Sequence, residues 1–434
     1  MVIPIHRQIQ ETQLPIEIIN STWYNYIEYT IMKGGKKMSL FREKQNSPRK
    51  HFLGKTFPLL LGVLGGILTA RYIDTLTLSG TVSSFGLFVV LLFGMSAAYY
   101  FHIFIHEAGH LLFGLLTGYK FVSFRILSFM LSKENGKIRI RRYSLAGTGG
   151  QCLMAPPDMN DGRIPFVLYN LGGSIANAIV SGLFLIVYFL CANTSSVFLT
   201  LLLLLFAITG FLIAAMNGIP MRYRLADNDG YNAVSMSKSD DALHAFWIQM
   251  KVAELRARGL CLLDMPAEWF TIPTDEAMKN GMVATRCVLA CNRLMDAEKF
   301  QEADALMSHL IEIDSGMIGL HRGLLICDRI YVELIGENRR DVIDEMLTEK
   351  QINFMKSMKR FSSVLRTEYA IALRFKRDRA EAELIKDQFE KLAKTHPYPN
   401  EIAAERTLMQ IAEQKAESES PFLFSSQPWR RESF

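Results

Sequence analysis

Phe85-Gly86-Leu87-Phe88-Val89-Val90-Leu91-Leu92-Phe93-Gly94-Met95 opens an apolar run that continues through Ala97, Tyr99, Phe101, Ile103 and Ile105 into His106-Glu107-Ala108-Gly109-His110. It leaves that pentad through Leu111, Leu112, Phe113, Leu115 and Leu116. A stretch this long and apolar reads as a membrane-crossing helix that projects past the interface. Two His and a Glu inside it are expensive in hydrocarbon unless they have partners or work to do.

On a helix, His106 and His110 lie one turn apart on one face, close enough for both imidazoles to bind one zinc ion. Glu107 can then act as a general base on water held by the metal, whose pKa zinc lowers towards neutrality. Ala108 and Gly109 leave room beside it. A chance occurrence of the pattern, with buried histidines making ordinary hydrogen bonds, is the bland alternative. His102 sits a further turn back on the same stripe, but it is roughly 12 Å from His110 along the axis at 1.5 Å per residue. That is too far for both to reach one ion, so His102 reads as a polar neighbour and not a ligand.

The composition is that of a membrane protein carrying a water-soluble part. Hydrophobic residues make up 50% of the chain, charged residues only 21%, and the mean hydropathy is +0.14. The charges concentrate outside four apolar stretches, 56–72, 84–116, 165–190 and 197–216, each long enough to cross a bilayer. Eight Lys and Arg residues lie between 33 and 55 and eight more between 120 and 163, which assigns both segments to the cytoplasm. The connections near 74–82 and 192–196 are short and poor in basic residues, as suits the outer side. Four spans then return the C-terminal region to the cytosol, giving a multi-pass protein of the cell membrane with both termini cytoplasmic. No nucleic-acid partner is expected.

That topology makes a geometric demand. The second and fourth spans run in the same direction, so a third ligand is expected just after residue 216, on the same side as His106 and His110. There the chain reads Asn217-Gly218-Ile219-Pro220, then Asp229-Gly230: a helix-interrupting Pro, a flexible Gly and a carboxylate. Two His and one carboxylate leave the fourth tetrahedral position of zinc for water.

At this point the chain resembles the site-2 protease family of intramembrane zinc metalloproteases, over roughly residues 55–235. The resemblance implies Zn2+ held by His106, His110 and Asp229, with Glu107 as the catalytic acid and base. It also implies substrate contacts at Asn217, Pro220 and Gly173. Eight residues separate Pro220 from Asp229, a longer spacing than the family usually shows, and Asp227 is a nearby rival. The Gly after Asp229 favours Asp229. In the third span Gly172-Gly173-Ser174-Ile175-Ala176-Asn177 is similar to the family's Gly-Pro-x-x-Asn element, with Ser174 where Pro is usual. Its small residues permit close helix contact, and Gly182 extends that face. By resemblance Asn177 is catalytic, orienting the scissile peptide or stabilising its oxyanion; a helix-to-helix hydrogen bond is the competing expectation.

Between the second and third spans, 120–131 and 137–143 have strand character and are joined through Glu134-Asn135-Gly136, a strong hairpin signal. A strand edge there could capture an unwound substrate by pairing; a basic hairpin lying on anionic headgroups is the alternative. Residues 147–154, before Pro156-Pro157, read as a loop or re-entrant segment.

Beyond about residue 235 the texture becomes that of amphipathic helices, 287–296 with 299–312 and 366–375 with 379–393, with a tetratricopeptide flavour in Ala290, Phe300, Ala303, Ala305 and Leu306. The six cysteines lack metal spacing, and free thiols are expected. Lys33-Gly34-Gly35-Lys36-Lys37 before Met38 looks like an in-frame translation of a bacterial ribosome-binding sequence, which makes Met38 an alternative start; a basic linker is the other reading.

The expected fold is an all-α polytopic membrane protein: a site-2-protease-like core of about four helices with a small cytosolic β-hairpin insertion, followed by an α-helical repeat-like cytosolic domain. The expected domains are a basic N-terminal region at 1–55, the intramembrane part at 56–235, the helical domain at 236–416 and a disordered tail at 417–434. Two functions compete: a zinc endopeptidase cutting within or next to a transmembrane segment, and a catalytically silent scaffold or immunity-type binding protein on the same fold. An ionisable Glu107 favours the enzyme, and a transporter has little to build a pathway from. The expected partners are a membrane-embedded peptide or protein substrate, the lipid bilayer and a cytosolic protein at the helical domain.

Overall fold

The computed structural model describes residues 84–134, 137–143, 149–191, 196–223 and 225–419. The expected first span at 56–72, the basic N-terminal region and the alternative start at Met38 lie outside them, as do Asn135 and Gly136 of the expected hairpin signal. Among the described residues, three helices are long and apolar enough to cross a membrane: α1, Ser84–Leu116, α2, Val167–Cys191, and α3, Val197–Gly218. At 33 residues α1 is about 50 Å long against a hydrocarbon thickness of about 30 Å, so it outreaches a bilayer. Ser196 caps α3, its hydroxyl accepting from the Leu199 amide, and Pro220 follows the Ile219 C-cap, where the missing N–H costs nothing.

The bundle is apolar outside and mixed inside. Phe88, Phe93, Leu112, Leu183, Ile186 and Phe189 face outward, while His102, Asn177 and Ser181 are fully buried between the helices alongside an apolar cluster of Leu87, Leu201 and Leu205. An apolar outer face suits a hydrocarbon solvent. The helices approach closely because their contact is glycine on glycine. A Cβ added at Gly109 would collide with the Gly172 carbonyl, and one at Gly172 would lie 2.8 Å from the Gly109 carbonyl. Gly182, expected to extend this face, has nothing near it; the buried small residue there is Ser181.

Between α1 and α2 the chain forms a four-stranded antiparallel sheet rather than a lone hairpin. Its strands are β1, Lys120–Ile126, β2, Phe129–Glu134, β3, Lys137–Arg142, and β4, Gly150–Ala155, in the order β3-β2-β1-β4. The single strand expected over 120–131 is folded back on itself at Leu127, which takes a left-handed φ of 52°. Glu134 pairs with Lys137, so β2 and β3 are neighbours as the hairpin signal leads one to expect. The segment expected as a loop or re-entrant stretch is β4, paired with β1 from Ala155 opposite Lys120 to Gly150 opposite Ile126. Its buried residues, Cys152 to Ala155, are the reason: an apolar run with Gly only at its start suits a strand covered on its faces.

α4, Asp229–Ser237, and α5, Asp240–Ala257, lead into the helical region. α5 serves two cores. Leu243, Phe246 and Met250 pack on the sheet with Tyr119, Phe124 and Met154, while Ile248 and Val252 join the core of the following helices. These are α6, Gly281–Asp296, α7, Phe300–Glu312, α8, Gly319–Ile335, α9, Arg340–Met346, α10, Glu349–Ser357, α11, Ser362–Ala370, α12, Arg379–Ala393, and α13, Pro399–Glu419. The expected helix pairs are present as α6 with α7 and α11 with α12, and α11 continues as a π-helical turn over Ile371–Lys376. The single long α8 and the short α9 and α10 between the pairs break any regular period. At the centre of this region Arg366 is buried against Asp328, Glu405 and the Tyr331 ring. α13 runs to Glu419, slightly into the stretch expected as a disordered tail. None of the six cysteines is in a disulfide.

The two glycines give a direct check on the packing. Gly172→Ala is expected to destabilise the bundle by about 1–3 kcal/mol through overpacking, whereas Gly182→Ala is expected to shift stability by less than about 0.5 kcal/mol. Denaturant titration of the purified protein in detergent measures both.

Candidate metal centre

The HExxH helix and the segment after α3 meet. Among the described residues, His106, His110 and Asp229 are the one group of His, Cys, Asp or Glu side chains placed to hold a metal ion. Nε2 of His106 and Nε2 of His110 are 3.1 Å apart, and Asp229 Oδ2 lies 3.1 Å from the first and 3.4 Å from the second. A tetrahedral ion with bonds of 2.0–2.1 Å holds its donors about 3.3 Å apart.

The protons around the triad point the same way. His110 Nδ1 donates to the Tyr169 carbonyl at 2.7 Å, so in the neutral ring the lone pair is on Nε2, facing the other two donors. A single proton could bridge only one of the three pairs, whereas one cation between them satisfies all three. Asp229 Oδ2 is enclosed and lacks any well-formed hydrogen bond.

Backbone contact sets each ligand in place. A Cβ at Gly173 would lie 2.5–2.7 Å from the His106 ring, so only glycine lets α2 pass so close to the imidazole. Gly173, expected by resemblance at a substrate contact, lies against the His106 ring. On the other side, a Cβ at Gly230 would strike the Gly218 carbonyl, so the Gly after Asp229 lets α4 start directly against the end of α3.

The long spacing between Pro220 and Asp229 closes on itself. Asn228 N donates to the Met221 carbonyl, Tyr223 N to the Ala226 carbonyl, and Arg222 is bridged to Asp227. The Asn228 amide fills all four of its hydrogen-bonding sites: it accepts from Met221 N and Tyr231 N at 2.9 Å and donates to the Met216 carbonyl at 2.7 Å and the Ile219 carbonyl at 2.6 Å. One side chain thus staples the end of α3 to the start of α4, of which it is also the N-cap. Asp227, the rival ligand, points elsewhere. It pairs with Arg222 at 3.0 Å, and burial raises its carboxyl while that guanidinium pulls it back. Arg222 also donates to the Gly316 carbonyl at 2.8 Å, and Leu320 N donates to the Leu225 carbonyl, tying the loop to the helical region.

The remaining expected residues divide. Glu107 follows His106 on α1, and its carboxyl lies against β4: a Cβ at Gly150 would be 2.6 Å from Oε1. Asn177 is fully buried between two imidazoles, its Oδ1 3.0 Å from His102 Nδ1 and its Nδ2 3.3 Å from His106 Nδ1. The amide expected to meet substrate is thus enclosed, and it makes the competing helix-to-helix hydrogen bond. Asn217 donates to the Ile213 carbonyl of its own helix at 3.0 Å. Pro220 lines an apolar groove with Gly218, Gly230, Val167 and Leu171, beside the triad. Sequence reasoning missed Asn228, although an Asn directly before a helix-opening Asp is a recognisable N-cap. It also missed the Tyr169 carbonyl, which has no sequence signal.

Exchange of the two acidic residues separates their roles. Asp229→Asn is expected to weaken zinc binding by more than the roughly 10–100-fold typical of losing an outer partner, and Asp227→Asn to leave stoichiometric zinc, both read by metal analysis of the purified protein. Comparison with family models, with curated proteins and with solved structures finds no match to the chain.

Proposed function

We propose that the protein is a zinc-dependent intramembrane endopeptidase of the site-2 protease type, cleaving a peptide bond within or next to a transmembrane segment. The observation that carries this reading is the convergence of three donor atoms, 3.1–3.4 Å apart, where a span bearing HExxH meets a segment from another span. His106, His110 and Asp229 would hold the ion. When bound, zinc supplies the Lewis acidity that makes water a nucleophile near neutral pH.

The chain's own residues supply the rest. Glu107, adjacent to a ligand, is placed to take a proton from the attacking water as its oxygen bonds to the scissile carbonyl carbon. As the C–N bond breaks, the same carboxyl returns that proton to the leaving amine. β4 is an edge of the sheet, and its Gly150 touches the Glu107 carboxyl. A substrate helix must unwind before cleavage, and an extended segment pairing along this edge would pass the catalytic carboxyl. The apolar groove at Pro220 supplies a wall for apolar side chains.

The protein is then a multi-pass cell-membrane enzyme with both termini in the cytoplasm. Its substrate is a membrane-embedded peptide such as a signal-transducing anchor, a signal-peptide remnant or a peptide precursor, and its helical domain receives a cytosolic partner. Membrane proteomics of cells carrying wild type and Glu107→Gln tests the activity: a full-length membrane peptide accumulates only in the variant, which keeps its zinc. No accumulation despite a full metal complement would make the protein a silent scaffold.

A further inference from the structure

His102, Asn177 and His106 form a row of hydrogen-bonded side chains through the middle of three apolar helices, ending at the triad. His102 and Asn177 are both 0% exposed, so every polar atom they carry must be satisfied inside the bundle. His102 Nε2 lies 2.9 Å from the Phe206 carbonyl, which can only accept, so that nitrogen carries a hydrogen. The two ends of an amide are alike in shape, and its sense is set by the hydrogens around it.

With the Asn177 oxygen towards His102, two difficulties arise together. His102 Nδ1 would also have to donate, which makes a doubly protonated ring among Phe101, Phe184 and Phe206. His106 Nδ1 would have to accept from the amide nitrogen, which puts the ring hydrogen on Nε2, the atom that faces His110 and Asp229. The opposite sense removes both. The amide nitrogen donates to a bare Nδ1 of neutral His102, and the amide oxygen accepts from His106 Nδ1–H, leaving the Nε2 lone pair aimed at the triad.

We propose that His102 and Asn177 are positioning residues that fix the tautomer and ring orientation of His106: the Phe206 carbonyl sets the tautomer of His102, His102 sets the sense of the Asn177 amide, and the amide oxygen holds His106 Nδ1–H. This rests on the zinc reading of the triad. It gives His106 the same support that the Tyr169 carbonyl gives His110. α3 is shaped to admit the row, since any Cβ at Gly210 would overlap the His102 ring and the Ser181 hydroxyl.

The test is zinc affinity of the full-length protein in detergent, by chelator competition, for wild type, Asn177→Leu, Asn177→Asp, His102→Leu and the double Leu variant. Asn177→Leu is expected to weaken zinc binding about 10–100-fold. Asn177→Asp keeps an acceptor on His106 and retains wild-type affinity. His102→Leu weakens binding, and because it acts through Asn177 the double variant is no weaker than Asn177→Leu alone. Equal loss in Asn177→Asp and Asn177→Leu, full affinity in Asn177→Leu, or additive losses overturn the proposal. NMR of wild-type protein carrying 15N-histidine reads the rings without any variant. Hydrogen on Nε2 of His102 and on Nδ1 of His106 is expected, and hydrogen on Nδ1 of His102 overturns the proposal. If the wild type binds no zinc, the metal reading fails, and the ring spectrum still decides the tautomers.

Discussion

Three electron-rich atoms pointed at one another are the constraint from which the rest of this structure follows. Left alone, His106 Nε2, His110 Nε2 and Asp229 Oδ2 repel, and side chains with ordinary freedom would rotate apart. Each is denied that freedom by a different device: a backbone carbonyl on the far side of His110, the backbone of Gly173 against the face of His106, and the saturated Asn228 amide immediately before Asp229. None of these is a strong interaction taken singly, since a hydrogen bond contributes about 1 kcal/mol net. Their effect comes from geometry, because rotating any donor away would break a contact that has no substitute in an apolar interior.

The apolar surroundings supply the leverage. Inside a bundle whose outer surface is Phe, Leu and Ile, an unpaired amide or imidazole has no water to fall back on, so a polar row such as His102 to His106 is held in one arrangement more firmly than the same row in a soluble protein. Glycine contacts let the helices come close enough for that row to form. The sheet plays the complementary part. It packs against α1 with its buried strand β4 and brings a polar backbone edge, at Gly150, to the carboxyl of Glu107.

Much of this was readable in the sequence. HExxH placed two imidazoles on one face, a carboxylate was expected beside them just after residue 216, and the Asp-Gly pair picked out Asp229 over Asp227 as the one that meets them. The length of the apolar runs gave α1, α2 and α3 to within a few residues. What escaped was whatever depends on backbone groups or on residues distant in the chain. Leu127 breaks what looks like one strand because the turn there needs a left-handed residue and no Gly or Asn announces it. β4 was missed because its pairing partner lies some 25 residues earlier, at Ile126 opposite Gly150. Of the two roles expected for Asn177 the helix-to-helix hydrogen bond is present, but its partner on the far side, His102, was recognised only as polar, because its direction was not available from spacing alone.

The small hairpin from Met221 to Asn228 gives the chain a handle. Its base is cinched by Asn228, so its length does not alter where Asp229 sits, while its outer part reaches Gly316 and Leu320 of the helical region through Arg222 and Leu225. Reach and ligand geometry are thereby made separate quantities. The extra residues act as a tether whose slack has been tied off, so the contacts made with the helical region can change while Asp229 stays in register with His106 and His110.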